Sequence, residues 1–185
     1  MFFKSEQFEF VSTLESNYLL IEQELGQLNL EQFIAWPEKS LCEKNWEVFG
    51  LYAFGSKLKD NCRFCPETTR LIEMIPGMIT AGFSWLKPGT HIIPHVGYPN
   101  RVLRCHLGLT VPDKECALRV GIETRHWQEG KCLIFDDTVE HEAWNYSKTN
   151  RIVLLIDFTN PYLTENCKSK ICSPEVAQLI KKCVG

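Results

Sequence analysis

The sequence predicts a mainly β fold, an antiparallel barrel or sandwich with packing helices towards the N-terminal and C-terminal ends. The prediction depends on three strand-rich blocks, separated by turn residues, within Pro88 to Pro161. It also depends on apolar residues that recur with helical spacing on either side of this region. The three blocks are PGTHIIPHVGYPNRVLRCHLGL, RVGIETRHWQEGKCLIFDDTVEHEAWN and NRIVLLIDFTNP.

The composition predicts one domain over residues 1–185. With 44% hydrophobic and 11% aromatic residues, the chain can bury one sizeable core, and nothing in it demands a second. We expect a helical or irregular support over residues 1–61, a β core over 76–161 and a short helix over 173–184.

Charge and hydropathy argue against two classes of partner. The formal net charge is -3 and the lysines and arginines are dispersed, so no basic stripe is present and we expect no nucleic acid partner. The beginning of the sequence, MFFKSEQFEF, soon becomes charged and no long apolar run follows. This predicts neither a signal peptide nor a spanning helix, hence no membrane partner and a cytoplasmic location.

The cysteines also favour a reducing compartment, because nine is an odd number that argues against a closed disulfide framework. Cys62 and Cys65 form a CxxC motif, but no second one completes a four-thiolate zinc site. A structural role is therefore favoured for them over a metal or redox role. Cys105, Cys116 and Cys132 lie in strand-like segments and are interpreted as small core residues.

The region from Ser5 to Leu28 is predicted to form an amphipathic helix that packs on the core, with partner binding as the alternative. Residues 29–61 are rich in aromatic side chains, which suit either the irregular walls of a pocket or the filling of a core. The apolar residues with helical spacing are Phe8, Val11, Leu14, Tyr18, Ile21 and Leu25.

A second helix is predicted to begin at Cys65–Pro66, because proline favours the first helical turn, and to end before Pro76–Gly77. A strand that carries Ser84 among apolar neighbours follows. Towards the other end, Ser173–Glu175 favours the start of a short packing helix.

Two strand-like segments contain arginines that need an explanation. In VLRCHLGLT, Arg104 and His106 share one face while the opposite face is apolar. In RIVLLIDF both faces are apolar, which predicts burial on both sides, with Arg151 and Asp157 on the same face. A buried arginine is costly without an anion, so each segment predicts a carboxylate inside the fold. Asp157 either orients Arg151 or ends the strand.

His95 and His141 lie on separated strands and are candidate ligands of one metal ion. Mononuclear non-haem iron sites commonly use two histidines and one carboxylate, but the residue two positions after His95 is Gly97. The alternative is that both histidines are core or surface residues without a ligand. Asp136–Asp137 is a possible source of the carboxylate, although a role in a turn is favoured.

Other polar residues are weaker candidates. His91 lies four residues before His95 and would share its face in a regular strand, so it is interpreted either as a support for the metal ligand or as a turn or solvent residue. Glu140 and Glu142 flank the second histidine on the opposite face and are not expected to be ligands. His126 is interpreted as a surface or core residue.

Together, these motifs resemble the aspartyl/asparaginyl β-hydroxylase family of Fe(II)- and 2-oxoglutarate-dependent dioxygenases. The resemblance is clear from Pro76 to Pro161 and looser back to Cys62, whereas the first sixty residues and the tail carry none. It implies a double-stranded β-helix, the jelly roll also seen in cupins. The motifs that carry it, in order, are HIIPHVGYPN, LRCHLGL, EGKCLIFDDT, EHEAWN and RIVLLID.

The resemblance implies that His95 and His141 are the two iron ligands. Members of the family have a glycine where most related dioxygenases have the acidic ligand, and Gly97 agrees with that pattern.

The resemblance also assigns residues to 2-oxoglutarate. Arg151 matches the arginine that binds the distal carboxylate, and Ser84 matches a supporting hydroxyl. Arg104 and His106 match the pair near the proximal carboxylate.

The implied reaction uses Fe(II), 2-oxoglutarate and O2 to hydroxylate an aspartyl or asparaginyl residue, or a related small molecule or acyl group, with release of succinate and CO2. One alternative is a non-catalytic cupin-like protein that binds metal and carboxylate. A second is a halogenase that holds chloride in the position left open at Gly97.

Substrate recognition is left open by one departure from the family pattern. The family carries a second arginine two positions before the one matched by Arg104, but here that position is Val102 and an arginine, Arg101, comes one position earlier. A step of one residue in a strand reverses the face of the side chain.

Overall fold

The computed structural model describes residues 1–42, 44–97 and 102–162. Four α-helices lie in the first half of the chain: α1 (Glu9–Ser16), α2 (Tyr18–Gln27), α3 (Lys59–Phe64) and α4 (Pro66–Glu73). The strands are β1 (Phe2–Phe3), β2 (Ile34–Ala35), β3 (Trp46–Ala53), β4 (Ser56–Lys57), β5 (Met78–Leu86), β6 (Thr90–His95), β7 (Val102–Thr110), β8 (Cys116–Val120), β9 (Glu123–Arg125), β10 (Cys132–Asp136), β11 (His141–Asn145) and β12 (Arg151–Thr159).

The strands form two antiparallel sheets. The larger has the order β1-β10-β7-β12-β5-β3-β2, with β4 paired to β3, and the smaller has the order β6-β11-β8-β9. From β5 onwards the chain passes repeatedly between the sheets, and β12 returns to pair with β5. This is the connectivity of a double-stranded β-helix, so the predicted mainly β jelly roll is confirmed.

Two apolar clusters place the core. One lies between the helices and the outer face of the larger sheet, and the other lies between the two sheets. β12 contributes to both, because Leu154 and Ile156 belong to the first cluster and Val153 and Leu155 to the second. The predicted burial of this strand on both faces is therefore confirmed, and Arg151 lies on the face towards the smaller sheet.

The helix predicted over Ser5 to Leu28 packs on the core as expected, but it is not one continuous helix. The segment Ser5–Gln7 is a 3-10 turn, and the backbone at Asn17 is not helical and separates α1 from α2. The buried residues nevertheless keep the predicted spacing, and they are Phe8, Val11, Leu14 and Ile21.

The expectation of an irregular segment over residues 29–61 is wrong at β3. Trp46–Ala53 forms a regular strand that pairs with β5, with a register shift between Gly50 and Tyr52. The buried residues of this strand lie on both of its faces, since Trp46 belongs to the cluster between the sheets and Phe49 and Leu51 to the cluster next to the helices. The sequence therefore lacks the simple alternation that predicts a strand.

The CxxC cysteines and the helix that follows agree with the expectations for them. Pro66 occupies the first turn of α4, which ends at Glu73, before Pro76–Gly77. Cys62 and Cys65 are free and buried, and burial raises the pKa of the Cys65 thiol to about 12. A thiol that stays protonated is a poor nucleophile and a poor metal ligand, which supports the structural interpretation.

Two expectations lie outside the described residues: the helix over 173–184 and the side chain of Arg101. Within the parts of the chain that are described, none of the helices has the length and apolar character needed to cross a membrane.

The start of α4 is capped from another helix. The preceding residue, Cys65, makes no side-chain cap. Instead, the carboxylate of Glu24 in α2 accepts hydrogen bonds from the backbone N–H groups of Glu67 and Thr68, each at 2.8 Å, and from the Thr68 hydroxyl at 2.6 Å. A negative charge at a helix N-terminus is favourable, so Glu24 links the two helices.

We expect Glu24→Ala to lower the free energy of unfolding by about 1–2 kcal/mol, because two backbone donors and one hydroxyl lose a charged acceptor. Urea denaturation measures this change. Glu22→Ala is the matched control in the same helix, since Glu22 makes no side-chain hydrogen bond within the described residues, and it should change stability by less than about 0.5 kcal/mol. Equal effects of the two substitutions would contradict the capping role.

Candidate active site

Two histidine rings meet on the inner face of the smaller sheet. His95 in β6 pairs with His141 in β11, and their ring centroids lie 4.2 Å apart. The Nδ1 atom of His95 lies 2.8 Å from the backbone oxygen of Ile93, and that of His141 lies 2.9 Å from the oxygen of Val139. A carbonyl only accepts, so each Nδ1 carries the hydrogen and each Nε2 of the neutral ring keeps its lone pair.

The two imidazoles are held in the form that binds metals. Burial lowers the pKa of His141 to about 3 and also lowers the pKa of His95, so both rings are neutral at neutral pH. The Nε2 atom of His141 is buried without a hydrogen-bond partner. A buried nitrogen lone pair beside a second neutral imidazole suits a metal ion such as Fe(II).

A β-bulge decides which histidine joins this pair. Between β6 and β11 the register shifts, so that Ile92 pairs with Ala143 while His95 pairs with His141. The extra residue in β6 reverses the face of His95 relative to His91. His91 therefore points outwards, where its Nε2 lies 2.7 Å from Glu142, and the prediction that His91 and His95 share a face is wrong. The outward direction predicted for Glu142 agrees with this contact.

The position of the missing acidic ligand is filled by another residue. A Cβ atom at Gly97 would overlap Oδ2 of Asp137, whose side chain is fully buried. The Gly97 N–H donates to the Asp137 backbone oxygen at 2.9 Å. The Asp137 carboxylate lies 3.4 Å from Nε2 of His141 and therefore occupies the space that a side chain at position 97 would take.

The two neighbouring aspartates have different roles. The carboxylate of Asp136 accepts from the backbone N–H of Thr138 at 2.9 Å and from its hydroxyl at 2.6 Å, which confirms the predicted turn role for Asp136. Asp137 instead faces the histidine pair. Over the described parts of the chain, no three histidine, cysteine or acidic side chains form a metal-binding group, so the donor set is the two imidazoles with Asp137 beside them.

Arg104 is neutralised by carboxylates of the protein. Its Nε and Nη2 atoms donate to the two oxygens of Asp157 at 2.7 and 2.9 Å, and its Nη1 atom lies 2.9 Å from Asp137. Both predicted roles of Asp157 are wrong, because it pairs with Arg104 rather than Arg151 and lies within β12. The carboxylate expected beside Arg104 is thus supplied by the fold.

His106 presents a hydrogen-bond donor to the space between the sheets. The indole N–H of Trp127 donates to its Nδ1 atom at 3.2 Å, and its Nε2 atom is buried without a hydrogen-bond partner. Burial, with a further contribution from the charge of Arg151, holds the pKa of His106 well below its usual value. The ring is therefore neutral.

Arg151 is a buried cation without a protein carboxylate. It is 1% exposed, and its guanidinium carbon lies 4.6 Å from the centre of the Trp127 ring. Nη1 donates to the backbone oxygen of Ser84 at 3.2 Å, and Nε has no partner. Burial lowers the pKa of Arg151 to about 10, so the side chain remains charged at neutral pH. Among the described residues no acidic side chain pairs with it, which leaves the expected anion to be a ligand.

The hydroxyl of Ser84 adds a donor beside this arginine. Its oxygen accepts from the indole N–H of Trp46 at 3.1 Å, so its own hydrogen is available for a ligand. Trp46 was not predicted as a site residue, because nothing in the sequence distinguishes it from an aromatic core residue. The same is true of Trp127.

All six residues assigned from the sequence line one cavity between the sheets. This inner cavity has a volume of about 20 Å³, and an outer pocket of about 130 Å³ shares Trp46, His95 and Arg104 with it. The inner space alone holds about one water molecule, so a five-carbon diacid requires the two spaces to join. The six residues are Ser84, His95, Arg104, His106, His141 and Arg151.

A sequence model of the family described as Aspartyl/Asparaginyl beta-hydroxylase matches residues 15–161 of the chain. The match therefore begins well before Cys62, in a region where the motifs alone carried no resemblance. It includes α2 and β3, which pack against and extend the larger sheet.

Two similar proteins are named as hydroxylases. An ornithine lipid ester-linked acyl 2-hydroxylase from Rhizobium tropici is 42% identical over 164 residues, which cover 83% of this chain and 58% of the relative. An aspartyl/asparaginyl beta-hydroxylase from Homo sapiens is 39% identical over 166 residues, which cover 84% of this chain and 22% of the relative. The chain thus spans a little over half of the first relative and about a fifth of the second.

Solved structures with a similar arrangement are more distant in sequence. A prolyl-4-hydroxylase from Pseudomonas putida has a TM-score of 0.48 and 13% identity, covering 82% of this chain and 86% of that one. A Cupin_2 domain of a transcriptional regulator from Enterobacter cloacae has a TM-score of 0.43 and 12% identity, covering 62% of this chain and 97% of that one.

We expect Gly97→Ala to lower the free energy of unfolding by about 1–3 kcal/mol, because the added methyl group overlaps the Asp137 carboxylate. In an Asp137→Ala background the same substitution should cost less, because the overlap with the carboxylate is removed while the close approach of the added Cβ to the backbone oxygen of residue 137, at 2.8 Å, remains. A double-mutant cycle of unfolding free energies should give a coupling of about 1–2 kcal/mol.

Gly26→Ala is the control for this cycle, since nothing lies within 4 Å of an added Cβ there and the residue is helical. It should stabilise the protein by about 0.5–1 kcal/mol. If Gly97→Ala costs the same in both backgrounds, the two positions do not compete for one space.

The pKa of His106 makes stability depend on pH. The folded pKa lies well below the unfolded value of about 6.5, so the unfolded chain binds one more proton between them. The contribution of neutral, buried His106 to the free energy of unfolding is therefore fully present above about pH 6.5, and it is lost as the pH falls below that value. For metal-free protein in a chelator, we expect His106→Gln to reduce the dependence of unfolding free energy on pH near pH 5.5 by about 1.4 kcal/mol per unit. An unchanged dependence would show that His106 is already protonated in the fold.

Proposed function

The chain belongs to the aspartyl/asparaginyl β-hydroxylase family, and from this premise we propose that it is an Fe(II)- and 2-oxoglutarate-dependent dioxygenase. The observation that carries the proposal is that one cavity contains groups suited to a cation and groups suited to an anion. His95 and His141 offer two nitrogen lone pairs to a cation, while Arg151 and His106 offer buried, unsatisfied donors to an anion. Iron chelated by a dicarboxylic acid satisfies both.

His95 and His141 would hold the iron. When bound, Fe(II) with 2-oxoglutarate and O2 supplies the oxidation that places one oxygen atom in a C–H bond and converts the cosubstrate to succinate and CO2. The two neutral imidazoles would be the protein ligands. The space beside Gly97 is filled by the Asp137 carboxylate, and the remaining positions would be open to the cosubstrate and O2.

The cosubstrate carboxylates would be bound by groups that line the cavity, three of which keep a hydrogen-bond donor unused by the protein. The guanidinium of Arg151 forms a planar fork that suits a carboxylate, and the Ser84 hydroxyl can donate beside it. His106 donates through Nε2 from the neighbouring strand. Arg104 contributes positive charge, although the two aspartates that already bind it reduce its part in holding an anion.

The walls of the cavity keep bulk water from the reacting groups. The apolar side chains come from both sheets and close the space behind the histidine pair, which strengthens the electrostatic contacts inside it. These side chains are Ile92, Leu118, Phe135, Ala143 and Leu155.

We propose that the hydroxylated carbon of the substrate is a methylene group next to a carbonyl carbon. The names of the two relatives describe hydroxylation of an aspartyl or asparaginyl residue at the β-carbon and of an ester-linked acyl chain at carbon 2. In both substrates that carbon is bonded to a carboxyl-derived carbon. This shared chemistry covers a peptidyl, small-molecule or acyl substrate.

The outer pocket is the proposed entry for such a substrate. It opens beside His95 and Gly97, and one wall is formed by the stacked rings of Trp36 and Trp46, whose centroids lie 4.2 Å apart. Leu41 and Val96 add apolar surface, while Glu38 and Ser40 add polar groups. A wall of this kind suits the apolar part of a substrate with a polar group at one end.

Halogenation is disfavoured by the position of Asp137. In a halogenase the space left by the acidic ligand would hold chloride, but here a buried carboxylate fills that space next to Gly97. A second anion at this point would be repelled.

Purified protein with Fe(II), ascorbate and O2 should convert 2-oxoglutarate to succinate in the presence of an aspartyl peptide or an acyl ester with a free methylene at carbon 2. Mass spectrometry should show the addition of one oxygen atom. His141→Ala should abolish turnover because it removes one of the two metal ligands. His91→Ala is the matched control, since that ring faces outwards, and it should retain activity within about threefold.

Each alternative gives a distinct result in the same assay. Binding of metal and 2-oxoglutarate without consumption of O2 would identify a non-catalytic binding protein. A halide-dependent, chlorinated product would identify a halogenase. Normal turnover by His141→Ala would rule out the proposed metal site.

A further inference from the structure

Trp127 has no role in the reaction described above, yet it contacts two of the groups proposed to bind 2-oxoglutarate. It lies between β9 and β10 and is 3% exposed. The backbone around it is fixed to β7, because Gly108 donates to Lys131 at 3.0 Å and Gly130 donates to Gly108 at 2.9 Å. The indole is therefore held at a defined place next to two residues that line the cavity, His106 and Arg151.

The first contact fixes the tautomer of His106. An indole N–H only donates, so Nδ1 of His106, 3.2 Å away, must carry a lone pair. The ring hydrogen must then be on Nε2, because the ring is neutral. Nε2 is the atom that is buried without a partner in a cavity-lining residue, so the indole turns His106 into a donor towards the ligand.

The second contact concerns Arg151. Its guanidinium carbon lies 4.6 Å from the centre of the Trp127 ring, a distance at which the ring face attracts the cation. Apart from the backbone oxygen of Ser84, no described acceptor binds this guanidinium. The ring face therefore helps to hold Arg151 in the cavity before an anion arrives.

We propose that Trp127 is a positioning residue for the carboxylate cosubstrate: its N–H sets the His106 tautomer while its ring face supports Arg151. The proposal rests on the proposed function, since it requires a carboxylate ligand in the cavity. It does not require Trp127 to touch that ligand, because both effects act through other side chains.

Trp127→Phe separates the two effects, because it keeps an aromatic face and removes the N–H. We expect the KM for 2-oxoglutarate to rise about tenfold, the value for one lost hydrogen bond, with kcat changed by less than about threefold. Trp127→Leu removes both contacts and should raise the KM about a hundredfold. Trp144→Phe, on the outer face beside Tyr146 and His91, is the control and should leave the KM unchanged.

The tautomer can be observed without turnover. In metal-free protein labelled with ¹⁵N-histidine, the signals missing from His106→Gln identify His106. The wild type should show hydrogen on Nε2 and a lone pair on Nδ1, and Trp127→Phe should show a mixture of tautomers or hydrogen on Nδ1. A purely structural role for Trp127 would not change this signature in a protein that remains folded.

The experiments distinguish a failure of the proposed function from a failure of the proposed role of Trp127. If wild-type protein neither binds nor consumes 2-oxoglutarate while Trp127→Phe changes the tautomer, the proposed function is wrong and the effect on His106 stands without a cosubstrate to position. If wild-type protein is active but Trp127→Phe keeps both the tautomer and the KM, the role of Trp127 is overturned. Hydrogen on Nδ1 in the wild type would overturn it as well.

Discussion

The site depends on the β-bulge between β6 and β11. One strand uses three residue steps, from Ile92 to His95, where its partner uses two, from Ala143 to His141. Side chains alternate between faces, so this single extra residue places His95 on the inner face although His91, an even number of residues away, points outwards. Without the bulge the two imidazoles would face opposite sides of the sheet and could not share one ion.

The two buried arginines differ in whether a carboxylate of the protein compensates their charge. Arg104 is neutralised by Asp157 and Asp137, so its charge belongs to the framework that holds β7, β12 and the turn before β11 together. Arg151 has a comparable burial, but within the described parts of the chain its guanidinium hydrogen-bonds only to the backbone oxygen of Ser84 and lies over the ring of Trp127. An uncompensated buried charge is costly to the fold, and a ligand that removes this cost gains affinity from it.

The histidine motif has a glycine, Gly97, where related sites have an acidic residue, but the carboxylate of Asp137 lies beside that position. Asp137 approaches from the turn before β11 and fills the space beside Gly97. It is also linked to Arg104, so the negative charge near the histidines is shared with a guanidinium. The glycine is thus required by the close approach of another side chain, which a motif comparison by itself does not explain.

The sequence determined the mainly β core and the inward faces of β7 and β12. Alternation in β7 was enough to put Arg104 and His106 on one face, and the apolar residues on both faces of β12 were enough to predict that Arg151 is buried. Helical spacing was enough to identify the packing face of the N-terminal segment. These features follow from the spacing of apolar residues along the sequence, which is a local property.

The tertiary structure decided which side chains meet. The pairing of Asp157 with Arg104, the outward direction of His91 and the contact of Trp127 with both His106 and Arg151 depend on register and on one extra residue in a strand. Local periodicity does not contain this information, because the partners are distant in the sequence and a one-residue shift exchanges the two faces of a sheet.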